Sequence, residues 1–417
     1  MTNPSVNKRK ILNDPVYGFI SLQSDIIFDL IEHRYFQRLR RIKQLGLSCL
    51  VYPGANHTRF EHALGALHLM RQAIDSLRLK NVEITYDEAE AVCIAILLHD
   101  IGHGPFSHAL EHILVQGLTH ETLSLMLMEQ LNEAFQNKLD LAICIFKNEY
   151  SKTFLHQLVA SQLDMDRMDY LRRDSFFSGV VEGTIGSDRI IKMLNVRDNQ
   201  LVVDSKGIYS VEKFLLARRL MYWQVYLHKT VIVAEYMLIL ILKRAKQLVG
   251  KGYDLFAPEP LQWILQQHLC AEDLSIDDYK SKLIENFVAI DDTDILASIK
   301  AWCFHPDRVL SYLSNAVSNR KLLKIIVSDH PIPKSLVAET KRITKAQFQL
   351  KQNELEFFVF SGSMTNKIYE SDSGKIKILM KNGAIVDLEN ASDIDFKRVS
   401  KTASKYFLCY PKELELT

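Results

Sequence analysis

Eight of the fourteen histidines in this 417-residue chain fall in one stretch: His57, His62, His68, His99, His103, His108, His112 and His120. Neutral imidazole is the commonest metal ligand and a frequent acid–base group, so such clustering asks for a chemical explanation. His99 and Asp100 are adjacent and close an apolar run. An ionised Asp near buried surface is costly unless it is paired or bound to a metal, and the C-terminal end of a helix favours a cation. Two further ligand-type residues lie at suitable remove, His62 and Asp166. Together the four would form a His2Asp2 site, a donor set that suits iron, manganese or zinc and leaves positions open for water and a substrate oxygen. Any one of these histidines alone would more often be a satisfied core or surface residue. What points to a metal is the conjunction of His–Asp after a buried helix, glycine breaks, and His103, His108 and His120 nearby.

The elements that must hold these residues are mainly helical. Thr85-Tyr86-Asp87-Glu88 is a capping box, opening a helix over Ala89 to Leu98 with almost no polar residue after Glu90. A helix apolar all round is buried on most sides, and this one is broken by the glycines and proline of Ile101-Gly102-His103-Gly104-Pro105. His62 sits near the start of an earlier helix that follows a Pro53-Gly54 turn, itself preceded by a strand-like piece from Leu50. Phe154 to Asp174 reads as helix, with Asp166, Tyr170 and Asp174 four apart and therefore on one face. Ser24 to Gly46 also reads as helix, with Arg34, Arg38 and Arg41 forming one basic stripe, either a solvated face or an anion or subunit contact. Ser210 to Leu248 reads as one or two long helices. Beyond His330-Pro331-Ile332-Pro333 a helix over 335–350 is followed by strands at Leu355–Phe360, Lys375–Met380 and Ala384–Leu388, the last two joined at Asn382-Gly383. The expected fold is mainly α, with a helical catalytic core over 1–330 and a small α+β subdomain over 331–417.

Composition narrows the function classes. With 51 Lys+Arg against 50 Asp+Glu the net charge is +1, which argues against broad nucleic-acid binding. The six cysteines are scattered without a CxxC pair, so neither a thiolate zinc site nor a disulfide framework is expected. The N-terminus is polar. The longest apolar run, Val231 to Leu242, contains Glu235 and is shorter than the roughly 20 residues a membrane span needs. A cytoplasmic location without membrane attachment is the expectation.

The ordered set His62, His99-Asp100, Asp166 resembles the HD-domain phosphohydrolases. Asn13-Asp14-Pro15, Phe36-Gln37-Arg38-Leu39-Arg40, Tyr52-Pro53-Gly54-Ala55, Arg59-Phe60-Glu61-His62, His99 through His108 and Asp164 through Tyr170 are similar to one branch. That branch is the deoxynucleoside triphosphate triphosphohydrolases, which include the sterile-alpha-motif/HD-domain dNTPase of animals and bacterial relatives. The likeness covers roughly residues 10 to 235 in register.

The resemblance implies that His62, His99, Asp100 and Asp166 bind the metal, with Mg2+ accompanying the triphosphate. It implies that Arg59, Arg167 and Arg218 grip phosphates, that Gln44 and Asp174 read the 3′-hydroxyl, and that Tyr170, beside Leu45, leaves no room for a 2′-hydroxyl. Tyr226 falls near the nucleoside, while Leu227 replaces a glutamine found beside the base. His103, His108 and His120 fall on the family's acids and hydrogen-bond partners, with Glu111 as an acidic partner; His108 is the favoured general acid. Lys10, Ile11, Asn13, Glu32 and Arg40 fall on the positions of a guanine-nucleotide effector site, Glu32 replacing an aspartate. A GTP or dGTP effector and a homo-oligomer, dimer or tetramer, are implied with it, and no sterile-alpha-motif domain is expected ahead of the core.

The chemistry fits. A dNTP carries about four negative charges, which charge-assisted Arg–phosphate bonds can hold. Water activation near neutral pH suits a divalent metal, and a positioned imidazolium can protonate a departing 5′-oxygen. Hydrolysis to deoxynucleoside and triphosphate is the leading reading. The rivals are an HD phosphohydrolase acting on another nucleotide or phosphoester, and a nucleotide-sensing or single-stranded nucleic-acid-binding protein.

Overall fold

The helix that ends in His99-Asp100 forms for the reasons its sequence suggests. Thr85 accepts from the Glu88 amide at 3.2 Å while the Glu88 carboxylate accepts from the Thr85 amide at 2.8 Å, so both ends of the capping box are made. Ala95 to Leu98 are all fully buried, each larger apolar side chain contributing roughly 1.5–3 kcal/mol.

In the computed structural model the described residues are 10–22, 24–114, 117–267, 277–366, 374–394 and 403–414. A hairpin of β1 (Ile11–Asp14) and β2 (Gly18–Ser21) leads into α1 (Asp25–Glu32) and α2 (Arg34–Gln37). The helical core follows as α3 (Arg59–Leu79), α4 (Tyr86–Leu98), α5 (Ser107–Leu114), α6 (His120–Ala134), α7 (Asp140–Phe146), α8 (Thr153–Val159) and α9 (Met165–Ser178). Then come α10 (Ser187–Met193), α11 (Ile208–Met221), α12 (Lys229–Val249), α13 (Glu259–Gln266), α14 (Asp277–Ala289), α15 (Asp292–Trp302) and α16 (Arg308–Ser318). The architecture is mainly α, as expected; α3 packs between α4 and α9. Among the described residues no single helix is long and apolar enough to cross a membrane.

A mixed sheet and an antiparallel one join the tail to the core. Antiparallel β3 (Leu194–Arg197) and β4 (Gln200–Asp204) extend through a parallel β4–β7 pairing to β7 (Lys377–Leu379) and β8 (Ile385–Asp387). β5 (Lys324–Ser328) and β6 (Phe360–Asn366) flank β9 (Ala403–Tyr410). Strands from both sides of residue 330 therefore share each sheet.

Several expected elements differ. Ser24 to Gly46 is not one helix: α1 and α2 are followed by a 3-10 turn at Arg38–Arg41. Three residues per turn put side chains out of step with an α-helical stripe. Arg34 is exposed and Arg41 pairs with Asp291. Arg38 is 1% exposed and donates to the carbonyls of Ile101 and His103 at 2.9 and 2.8 Å. The strand-like piece from Leu50 is instead the end of a 3-10 turn, Gly46–Leu50, and a loop. Phe154 to Asp174 is two helices, because the buried Asp164 carboxylate caps α9 by accepting from the Arg167 amide at 2.7 Å. In the tail, Leu355–Phe357 is a 3-10 turn and the strand starts at Phe360.

The N-terminus of α15 fastens two loops of the core. Asp292 accepts from the Lys43 amide at 2.9 Å and from the Phe106 amide at 3.0 Å, and burial pushes its carboxyl up to about 6.

Candidate metal centre and active-site cavity

His62, on the first turn of α3, His99, at the end of α4, and Asp166, on the first turn of α9, present ligand atoms all within 4.8 Å of one another. His62 Nε2 lies 3.1 Å and His99 Nε2 3.4 Å from Asp166 Oδ1. Asp100 flanks this group, with Oδ1 3.4 Å from His99 Nε2 and Oδ2 3.7 Å from His62 Nε2. Its Oδ2 also accepts from Arg59 Nη1 at 2.5 Å.

The imidazoles are oriented from behind. His62 Nδ1 lies 2.7 Å from Asp169 Oδ2, and His99 Nδ1 lies 2.6 Å from the Ile96 carbonyl. Both far-side contacts are to acceptors, which fixes the proton on Nδ1 and directs the Nε2 lone pair into the cluster. Both Nε2 atoms are buried and make no hydrogen bond of good geometry. Two orphaned imidazole nitrogens facing a carboxylate fit a divalent cation. Burial opposes charge on His62, yet Asp166 and Asp169 raise its pKa to about 10; a bound cation and that proton compete for one lone pair.

Asp169 is itself gripped by Arg173, whose Nε and Nη2 donate to its two oxygens at 3.0 Å each, while Nη1 donates to Asp14 Oδ2 at 2.7 Å. All three side chains are buried. The pair fits because residue 65 of α3 is glycine: a Cβ there would come within 2.0 Å of Asp169 Oδ1 and 2.3 Å of Arg173 Nη2. This support was not anticipated from the sequence; the Asp169–Arg173 spacing of four was the available signal.

A cavity of about 510 Å³ opens from the cluster. Asp100, Asp166, Arg59, Arg167, Arg218, Tyr170, Asp174, Tyr226, Gln44, Leu45, His103 and His120 all line it. Asp166, Tyr170 and Asp174 do share one face of α9. Arg167 pairs with Asp164 and Arg218 Nη1 donates to Gln162 at 3.1 Å, yet the Nε of each is buried without a partner. Asp174 is held by His57 Nε2 and by the Tyr226 hydroxyl, both at 2.7 Å, and the buried Gln44 Oε1 has no partner. Tyr226 ends a π-helical turn, Tyr222–Tyr226, that breaks α11 from α12; such turns re-aim side chains. His57, stacked on Phe177 at 4.5 Å, carried no sequence signal beyond membership of the histidine cluster.

Behind the cluster, His103 Nε2 lies 3.3 Å from Asp100 Oδ1, and burial and Arg59 hold its pKa well below the usual histidine value. His120 stacks on it with ring centres 4.0 Å apart, and its Nδ1 lies 2.8 Å from Glu111 Oε1. The close approach depends on Gly102, where a Cβ would stand 2.3 Å from the His120 carbonyl. His108 lies on α5, and its side chain falls outside the described residues. Lys10, Ile11, Asn13, Glu32 and Arg40 are all exposed, away from the cavity lining. Lys10 sits over the Phe28 ring and Arg40 over the Phe60 ring, and no hydrogen bond or ion pair joins the five among the described residues.

The HD domain family model matches residues 59–174, and the HD associated region matches 185–251. The crystal structure of a phosphohydrolase from Bacteroides thetaiotaomicron is 51% identical and superposes with a TM-score of 0.93, covering 96% of this chain and 99% of that one. The chain belongs to the HD-domain phosphohydrolases. This HD phosphohydrolase is also 33% identical to the uncharacterized protein YwfO of Bacillus subtilis, over 99% of this chain and 94% of that protein. It is 30% identical to the human deoxynucleoside triphosphate triphosphohydrolase SAMHD1 over 54% of this chain and 42% of the human one. The match thus spans about half the length of the curated triphosphohydrolases or less.

Several cavity-lining residues of the HD phosphohydrolase were not anticipated, among them Ser48, Tyr222, Ile232 and Glu235. Glu235, on α12, lines the cavity, and burial alone pushes its carboxyl from 4.5 up to about 7. A raised folded-state pKa means that ionisation is penalised in the fold; the advantage is full below pH 4.5 and lost as pH rises through 7. Glu235→Gln cannot ionise. It is therefore expected to match the wild type in thermal stability at pH 4.5 and to exceed it at pH 8 by on the order of 1–2 kcal/mol after solvent screening. Melting curves of the two proteins at both pH values check this; an equal gap at both would refute it.

Proposed function

We propose that this HD phosphohydrolase is a metal-dependent deoxynucleoside triphosphate triphosphohydrolase, converting dNTP and water to deoxynucleoside and triphosphate. The observation that carries the reading is the single cavity that joins the His62/His99/Asp166 cluster to three arginines and to the Gln44, Tyr170 and Asp174 set. Likeness to curated triphosphohydrolases supports it.

His62, His99, Asp100 and Asp166 would hold the cation, which when bound supplies Lewis acidity and makes water nucleophilic near neutral pH. Arg59, Arg167 and Arg218 bind the polyphosphate, Arg167 and Arg218 through guanidinium edges that the protein leaves unbonded. Water oxygen bonds to the α-phosphorus, the bond from that phosphorus to the 5′-oxygen breaks, and the leaving oxygen takes a proton. His108 is the proposed donor. His120, whose Nδ1 lies 2.8 Å from Glu111 Oε1, is the alternative. His103, kept neutral, orients Asp100 and His120. Gln44 and Asp174 receive the 3′-hydroxyl, and Tyr170 closes on C2′.

The test uses purified protein with Mn2+ and Mg2+, each dNTP and NTP, with and without GTP or dGTP, and ion-pair chromatography of the products. Deoxynucleoside with intact triphosphate supports the reading; pyrophosphate or monophosphate overturns the reaction. The effector lanes test the guanine-nucleotide role of Lys10, Ile11, Asn13, Glu32 and Arg40, and full activity without effector removes it. Sedimentation with and without GTP tests the homo-oligomer. Tyr170→Ala is expected to cut discrimination against ribonucleotides by roughly tenfold or more, measured as the ratio of kcat/KM for dGTP and GTP. An unchanged ratio would remove the sugar gate.

A further inference from the structure

Glu235 is the acidic side chain that the proposed chemistry leaves unused. It lines the same cavity as Asp166 and the arginines. It lies on α12, which packs against the Gly46–Leu50 turn. Ile232 precedes it by three residues on the same helix face, and Ile232, Leu227 and Leu45 line the same space. Apolar walls suit the faces of a base, and a carboxylate among them is costly unless a donor arrives with the ligand. No hydrogen bond or ion pair occupies this carboxylate among the described residues.

An ionised carboxylate only accepts, and its two oxygens can take two parallel N–H groups at once. Guanine presents two adjacent donors, N1–H and the 2-amino group. Thymine presents one N–H between two carbonyls, while adenine and cytosine place an amino group beside a ring-nitrogen acceptor. A site built to pair with hydrogen-bonding groups rejects ligands that leave it unpaired. We propose that Glu235 reads the base edge and selects guanine. This rests on the reading that a deoxynucleotide occupies the cavity, and it goes further by naming the base and the residue.

The test is isothermal titration of deoxyguanosine, deoxyadenosine, deoxycytidine and deoxythymidine into the Mn2+-loaded protein at pH 8, for wild type, Glu235→Gln and Glu235→Asp. Expected is binding of deoxyguanosine about tenfold or more tighter than deoxythymidine in the wild type. Glu235→Gln should lose about that factor for deoxyguanosine and change deoxythymidine less than about twofold, while Glu235→Asp keeps part of the preference. A uniform change across all four, no preference in the wild type, or no deoxynucleoside binding overturns the proposal. The fold of each variant is checked by its melting curve. A wild type that prefers deoxyguanosine but turns over no dNTP would overturn the triphosphohydrolase reading and leave this one standing.

Discussion

Asp166→Ala is expected to empty the metal site and stop turnover together. The carboxylate is the group both orphaned imidazole nitrogens face, and despite burial His62 and His99 hold its pKa well below the usual carboxylate range. Without it His62, His99 and Asp100 remain, and the carboxylate nearest both imidazole nitrogens is gone, which weakens retention of a divalent cation. Bound metal measured by mass spectrometry should fall below about a tenth of wild type, and the rate by about a thousandfold or more, since water activation goes with the ion. A variant that kept stoichiometric metal would remove Asp166 from the ligand set. The same experiment on Asp100 is less clean. Asp100→Ala also strands the fully buried Arg59 guanidinium, adding a destabilisation of roughly 3–5 kcal/mol to any loss of metal.

The second large effect lies one layer behind the ligands. Asp169→Ala removes the partner of His62 Nδ1 and leaves Arg173 buried with only Asp14 to neutralise it. Breaking a buried ion pair from one side costs roughly 3–5 kcal/mol, and loss of an imidazole's orienting carboxylate weakens metal binding about 10–100-fold. Chemical denaturation and metal titration of the variant measure the two losses separately. Gly65→Ala should reproduce part of both by pressing a methyl group into the same pair. Wild-type metal affinity in Asp169→Ala would show that His62 needs no orientation from behind.

What was legible in the chain was what local order could carry. His99-Asp100 follow an apolar helix with a capping box, and Asp166, Tyr170 and Asp174 sit four apart, so adjacency and helical period were enough. The support for these residues was harder to see. Arg173 and Asp169 look like a surface pair, and only the approach of α3 at Gly65 buries them. Arg38 looked like part of a solvated stripe, because nothing local announces the 3-10 turn that sends it toward the His103 carbonyl. The strand partners β5 and β9, and β4 and β7, are far apart in the chain, and period alone does not reveal such pairings. Glu235 read as a charge interrupting an apolar run; the wall it forms exists only once α12 meets the Gly46–Leu50 turn.

The two hydrogen bonds of Asp292 also set an order of assembly. They tie the loops around Lys43 and Phe106 to a residue synthesised long after both, and after His62, His99, Asp100 and Asp166 as well. On a growing chain these ligands emerge before the residue that fastens this part of the cavity lining, and distant contacts of this kind are slow to close. A chain ending before α15 lacks the carboxylate that holds the Lys43 and Phe106 amides, both in the cavity lining. The cavity wall at Lys43 and Phe106 is thus fastened late in synthesis.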